Sequence, residues 1–268
     1  MLSLGARMKQ YEELNVSYVN PTQYYIIRLD GRSFSHFTRL LTRPFDERFT
    51  KVMISTMNAL LLEFNPATVY NHSDEITLIF DRAQPAVANT SADIVREHLF
   101  GGRIFKILTI LASKTSVLFN KFAQEMGLPT DELPVFDARI IVFDENLRHE
   151  ILNHMIWRSN YDCQRNCIST YARHFYSHKE ISGLNQASMC QLLADKGITI
   201  PTHLRYGVYG KKIQVEKIPT ANDTGVVCLR REAQNYIIPI NSYSDTLLNF
   251  MLDKYATDGQ FSKTIYVN

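Results

Sequence analysis

The 268-residue chain is short of cysteine, of tryptophan, of net charge and of long apolar runs, and each shortage excludes something. Its four cysteines are Cys163, Cys167, Cys190 and Cys228. Cys163 and Cys167 are four apart, but no second Cys/His pair with metal-binding spacing follows, so neither a zinc site nor a disulfide framework is expected, and reduced thiols are. No apolar run approaches the roughly 20 residues of a membrane-spanning helix, and the first seven residues lack the apolar core of a secretory signal. A cytoplasmic protein with no membrane partner is expected, with an organellar form left open. Lysine and arginine exceed aspartate and glutamate by only 29 − 27 = 2. So small an excess does not by itself point to a polyanionic partner, whose binding would need local clustering of positive charge or several chains assembled together. There is no internal repeat and no low-complexity linker. What remains is a composition 45% apolar, enough for a substantial core in one large domain or a domain with an appendage.

Two short acidic clusters stand out against that background. The apolar run at residues 24–29 ends in Asp30-Gly31, and Ser73-Asp74-Glu75 separates the apolar runs 68–70 and 76–80. β-Branched and aromatic runs of this kind predict strands, the first stopping in a tight turn and the other two forming a hairpin with the acidic cluster at its tip. Each cluster taken alone is an ordinary turn or solvated loop. If the strands are neighbours in one sheet, however, Asp30 and Asp74 emerge together, and hard divalent cations choose such oxygen ligands. Between the clusters, Phe45, Phe49, Val52, Met53, Thr56, Met57, Leu60, Leu61 and Phe64 recur at helical spacing. A strand, a helix and a hairpin in that order predict the opening half of an α+β fold, a palm-like antiparallel sheet flanked by helices.

Several motifs carry a resemblance. Residues 27–34 (Ile-Arg-Leu-Asp-Gly-Arg-Ser-Phe), Arg43-Pro44-Phe45-Asp46 and His72-Ser73-Asp74-Glu75 together resemble the tRNA-His guanylyltransferase family, and more closely its guanylyltransferase-like branch of template-dependent 3′-to-5′ RNA polymerases. Further likenesses are Arg7-Met8-Lys9 with Tyr11-Glu12, Phe100-Gly101-Gly102-Arg103 with Lys106, Phe136-Asp137-Ala138-Arg139, and Trp157-Arg158 followed by Asp162, Arg165 and Asn166. The resemblance extends to about Lys212. It implies an enzyme, a nucleotidyltransferase that extends the 5′ end of tRNA with nucleoside triphosphates such as ATP and GTP, using two Mg²⁺ ions per active site. On this resemblance Asp30, Asp74 and Glu75 are catalytic, and Asp30, Asp74 and the Gly31 carbonyl hold metal. Gly31, Arg32, Ser33, Phe34, Ser35 and Ser73 form a nucleotide-binding loop whose amides cradle phosphates. Arg43, Arg103 and Lys106 are triphosphate cations, although the last two, three apart on a helix, would otherwise be a solvated face. Arg139, Arg165, Asn166, Lys211 and Lys212 are candidate tRNA contacts, the two lysines on an exposed hairpin, and a homotetramer built as a dimer of dimers is implied.

Two departures bear on the branch. Gln164-Arg165-Asn166 stands where guanylyltransferases proper carry His-Ile-Asn-Asn, which favours templated repair of 5′-truncated tRNAs over addition of the extra guanosine to tRNA-His. His36 lies one position beyond the family's usual histidine, and a surface or packed role is expected for it. Trp157, the only tryptophan, is expected in packing. A nucleotide cyclase on the same palm would need a Gly-Gly-Asp-Glu-Phe string that is missing here, and a non-catalytic RNA-binding relative would have no need of the paired carboxylates.

Along the rest of the chain the pattern predicts a loop over 81–90, a short helix starting near 91–93, a long helix over 103–122, a strand over 135–143, mostly helix over 145–174, and a helix over 185–196. Strands follow at 206–215, 226–230 and 236–240, then a helix over 244–255. A catalytic part over residues 1–143 and a C-terminal α/β extension over 144–268, packed on it as one unit, are expected.

Overall fold

A computed structural model of the chain describes residues 2–14, 16–83, 97–216, 229–256 and 261. The expected loop beyond residue 83, the helix start at 91–93 and most of the expected strand 226–230, with Cys228, lie outside the described residues.

Six strands form one antiparallel sheet: β1 (Tyr24–Gly31), β2 (Thr68–His72), β3 (Glu75–Phe80), β4 (Phe136–Phe143), β5 (Val208–Glu216) and β6 (Leu229–Tyr236), in the spatial order β4-β1-β3-β2-β5-β6. The helices are α1 (Leu4–Glu13), α2 (Phe34–Phe37), α3 (Glu47–Phe64), α4 (Ile104–Glu125), α5 (His149–Ile156), α6 (Gln164–Phe175), α7 (His178–Ile181), α8 (Gln186–Asp195), α9 (Thr202–Tyr206) and α10 (Asp245–Leu252). Between α5 and α6 a π-helical segment, Trp157–Cys163, continues the same rod. The strands β5 and β6 extend the same sheet as β1–β4, so residues on both sides of position 143 share it. Residues 237–240, expected in a strand, follow the end of β6 without regular structure.

Both faces of the sheet are covered. One face, with Tyr25, Ile27, Leu29, Val69, Ile76, Leu78 and Phe80, packs against the apolar stripes of α3 and α4. The other, with Tyr24, Ile26, Tyr70, Ile79 and Tyr209, packs against α5 and α10. Strands buried on both sides read as continuous apolar runs, which is why β1 and β3 carry Tyr-Tyr-Ile-Ile and Ile-Thr-Leu-Ile-Phe. Each fully buried aliphatic or aromatic side chain contributes about 1.5–3 kcal/mol, so this double core fixes the register on which the site depends.

The ends of the main helix are set locally. Asp46 caps α3, its side chain accepting from the Arg48 amide, and Asn65 closes it in the left-handed conformation at φ 57°. Gly102, at φ 76°, precedes α4; a Cβ there would lie 2.7 Å from the Val19 carbonyl oxygen, while the Gly102 carbonyl accepts from the Val19 amide at 2.9 Å. The second glycine of the Phe100–Arg103 motif is thus required by backbone packing.

Candidate active site

The two acidic clusters converge as the strand pairing dictates. Antiparallel register places Asp30 directly opposite Glu75 on one side and Asp137 on the other. Ser73 and Asp74 form the two-residue turn between β2 and β3, and the Gly31 amide donates to the Asp74 carbonyl at 3.1 Å. The Asp74 carboxyl is held above its usual range, mainly by burial and also by the charge of Asp30. Ser33 and Ser73, flanking the two carboxylates, both adopt left-handed backbone, at φ 58° and 49°. For a residue with a Cβ that conformation costs on the order of 1 kcal/mol, and such strain gathers at functional sites. Asp30 is neutralised by Arg28 at 2.9 Å, with Arg139 at 3.8 Å.

Behind this pair runs a buried chain of alternating charges that sequence patterning did not assemble. Arg28 Nε lies 3.2 Å from Glu75 Oε2; Arg158 donates to Glu75 and pairs with Asp162; Asp162 accepts from the outward-facing Arg165. Glu75 is only 5% exposed. Burial pushes its carboxyl up to about 7 against the pull of Arg158 and Arg28, while burial and the same two cations hold the His72 imidazole down to about 3, neutral. Glu75, expected among the catalytic residues, is thus buried and engaged by two guanidinium groups, which it positions. The signal available in the sequence was the alternation itself: Arg28 and Asp30 share a strand face, and Arg158 and Asp162 are one helical step apart.

The expected nucleotide loop divides between core and surface. Phe34 is buried in a cluster with Phe37, Phe49, Phe119 and Phe136, and a Cβ on Gly31 would collide with its ring at 2.4 Å. Its side chain is therefore core and cannot reach a ligand. The Gly31 and Arg32 amides are already engaged, on the Asp74 and Val135 carbonyls. The amides at the start of α2, over Ser33, Phe34 and Ser35, have no intrahelical partner by position. Arg32, Ser33, His36 and Glu132 border a cavity of about 260 Å³ beside this turn, with His36 on Glu132 at 2.7 Å, a surface pair as expected. Arg43 is exposed on the loop that the Asp46 carboxylate ties down through the Thr42 amide. Ser73 and Asn166 line one small cavity, of about 40 Å³, together with His72.

Other expected residues lie elsewhere. The Phe119 ring packs on Phe34 and Phe136, so the C-terminal half of α4 adjoins the ends of β1 and β4 that carry Gly31 and Phe136, and Arg103 stands sixteen residues earlier, about 24 Å along the axis. Arg103 and Lys106 are exposed, Arg103 on the Phe100 carbonyl and Lys106 over the Phe100 ring. Within one chain they are too far from Asp30 and Asp74 to grip a shared triphosphate. Lys211 and Lys212 are fully buried, not exposed tRNA contacts. Lys211 donates to Ala67 O at 2.9 Å, to Thr68 Oγ1 at 3.0 Å and to the Asp253 carbonyl; Lys212 donates to the Pro66 carbonyl. Trp157, expected in packing, is 50% exposed.

Among the described residues no three His, Cys, Asp or Glu side chains gather in metal-holding geometry. Asp30 and Asp74 nevertheless suit a hard cation: two carboxylates close enough for one to raise the pKa of the other, next to the Gly31 backbone. The family model described as Thg1, tRNAHis guanylyltransferase, matches residues 5–144, more than half of the chain and all of β1–β4.

The chain belongs to the tRNA-His guanylyltransferase family.

Members of this family are nucleotidyltransferases acting on tRNA. An uncharacterized protein of Acanthamoeba polyphaga mimivirus is 38% identical over 269 residues, 94% of this chain and 90% of that one. The tRNA(His) guanylyltransferase of Debaryomyces hansenii is 30% identical over 166 residues, 59% of this chain and 56% of that enzyme, so the match spans little more than half of it. A bacterial tRNA(His) guanylyltransferase-like protein in complex with ATP has the same fold, with a TM-score of 0.66 and 28% identity over 77% of this chain and 87% of that one. A second such structure, in complex with GTP, matches in fold with a TM-score of 0.63 at 24% identity, over 87% of this chain and 91% of that one. No helix among the described residues is long and apolar enough to cross a membrane.

Proposed function

We propose that this chain is a template-directed 3′-to-5′ nucleotidyltransferase that extends the 5′ end of tRNA. The observation that carries the reading is the meeting of Asp30 and Asp74 at one end of the sheet, beside the exposed turn Arg32-Ser33 and the arginine Arg43. The solved guanylyltransferase-like relatives hold ATP and GTP, which supports nucleoside triphosphates as substrates here. Asp30, Asp74 and the Gly31 carbonyl would hold Mg²⁺, two ions per site, which when bound neutralise the triphosphate and activate the attacking hydroxyl. The amides of residues 33–35 orient phosphate oxygens, and Arg43 and Arg32 add positive charge where pyrophosphate departs. Arg28 holds Asp30 in place until a cation replaces it, with Glu75 and Arg158 fixing Arg28 from behind. A 5′-monophosphorylated tRNA is first adenylylated by ATP with release of pyrophosphate. The 3′-hydroxyl of the incoming nucleotide then attacks the activated 5′ phosphorus and AMP leaves.

Gln164-Arg165-Asn166 favours templated repair over dedicated guanosine addition. Assembly into a dimer of dimers accords with α1, which buries none of its residues and leaves Leu4, Met8 and Tyr11 exposed at helical spacing. The test is incorporation of labelled nucleotides, with Mg²⁺ and ATP, on a tRNA lacking its first 5′ nucleotide and on tRNA-His lacking the extra guanosine. Template-matched extension of the first across several tRNAs is expected. Strict guanosine addition to the second alone would assign the guanylyltransferase activity instead, and silence on both would overturn the enzymatic reading.

A further inference from the structure

The π-helical segment between α5 and α6 turns its buried side chains onto the charge network and its aromatic ones outward. Arg158, Ser159, Asp162 and Cys163 are buried, while Trp157 and Tyr161 are 50% and 63% exposed and the Arg165 side chain 62%. Trp157, Tyr161 and Arg165 follow one another at intervals of four, and Arg173, exposed, continues the series two steps on. The π-helical turn, a feature that within α-helices often marks functional sites, carries Trp157 and Tyr161, and Arg165 and Arg173 follow on α6. No carboxylate occupies these positions. The indole is also held: the Arg158 guanidinium lies 5.0 Å from its centroid and the His154 ring meets it edge-on at 5.7 Å. An aromatic ring that is backed by a buried cation, pinned at its edge and half open to solvent is a preorganised surface. Its place is equally specific, one residue from the arginine that touches Glu75, the cross-strand partner of Asp30.

We propose that Trp157 and Tyr161 form a stacking platform for unpaired RNA bases, with Arg165 and Arg173 on the adjoining phosphates. The charge of the stripe selects this occupant: two aromatic rings followed by two arginines, with no carboxylate among them, match bases joined by phosphates. The proposal rests on the RNA substrate of the reading above, yet it concerns binding alone and requires no turnover.

Because Trp157 is the only tryptophan, its emission reports the platform directly. Full-length protein is titrated, without metal or nucleotide, with a fluorescein-labelled single-stranded oligoadenylate and with a blunt RNA hairpin of similar length. The oligoadenylate is expected to quench Trp157, and Trp157→Ala to weaken its binding, read by anisotropy, by about 5- to 150-fold. Trp157→Phe should retain most of the affinity, Tyr161→Ala should lose part of it, and the hairpin should leave the emission unchanged. Oligoadenylate binding that spares the emission, or an affinity equal in wild type and Trp157→Ala, overturns the platform. So does emission that shifts with protein concentration alone while Trp157→Ala alters the oligomeric state, which would assign the stripe to contact between copies. Quenching by oligoadenylate in a protein that incorporates no nucleotide would retain the platform and reject the catalytic reading.

Discussion

Replacing Arg158 by methionine tests the charge network most directly. In the native protein its guanidinium neutralises Glu75 and Asp162, both buried, and Arg28 is the other cation on Glu75. Removing one partner of a buried ion pair typically costs about 3–5 kcal/mol, because the remaining charge is left without compensation. Glu75→Gln alone removes a charge that two arginines share while Arg28 keeps Asp30 and Arg158 keeps Asp162, so about 1–3 kcal/mol is expected. In the double variant the stranded carboxylate is absent, and the combined loss should fall short of the sum by about 2 kcal/mol. The penalty of Arg158→Met also has a pH signature. Burial already raises the native Glu75 carboxyl to about 7 against the pull of Arg158, so loss of that cation raises it further. Above pH 7 the native group is ionised and its contribution no longer changes, while the stranded group still holds its proton and goes on losing stability as pH rises, and the loss should grow from pH 6 to pH 8. Urea unfolding followed by far-ultraviolet circular dichroism, at pH 6 and pH 8, measures all of this. A single-variant loss below about 1 kcal/mol, or strict additivity in the double variant, would refute the account of Glu75 as a residue clamped between two cations.

Three further outcomes are expected. Asp30→Ala and Asp74→Ala should abolish nucleotide transfer and weaken Mn²⁺ binding, measured by electron paramagnetic resonance, while circular dichroism remains native; undiminished Mn²⁺ binding in both would reject the metal assignment. Lys211 is lowered to about 7 by burial and by Lys212. Its unfolded state therefore holds the proton more tightly between pH 7 and about 10.5, stability must rise with pH across that window, and from pH 7 to 9 the wild type should gain on the order of 2 kcal/mol relative to Lys211→Met in urea titrations. Ser73→Gly relieves a left-handed backbone and should raise the melting temperature by about 2 °C in calorimetry while lowering turnover through loss of the serine hydroxyl and a looser turn; a lowered melting temperature would contradict the strain argument.

The part of the fold that was legible from sequence is the part with simple periodicity. The stripe from Phe49 to Leu61 became the buried face of α3, and the apolar runs around Asp30 and Ser73-Asp74-Glu75 became β1 and a hairpin in the anticipated pairing. Lysine side chains mark the limit. Lys211 and Lys212 have the composition of an exposed strand edge, but carbonyl groups from residues 66, 67 and 253 solvate them inside the protein, and no local pattern encodes acceptors that arrive from elsewhere in the chain. Arg103 and Lys106 lie away from the carboxylates of their own chain for a different reason: spacing gives the helix face and says nothing of which end of a 22-residue helix faces the carboxylates. Phe34 belongs to a loop motif yet serves the core, because Gly31 has no side chain to keep its ring away.

The two-residue turn at Ser73-Asp74 joins strands that are buried on both faces. One residue added to or removed from that turn would carry Glu75 to the opposite side of the sheet and set Ile76 or Leu78 against Arg28, so single-residue changes of length are closed to this hairpin. The carboxylate pair thus inherits its spacing from the packing of the strands beneath it, and divergence among such proteins must be sought in segments that hang on the sheet without pairing through it, such as the helical rod that carries Trp157. The hairpin can remain constant at one end of the sheet while the residues along that rod change.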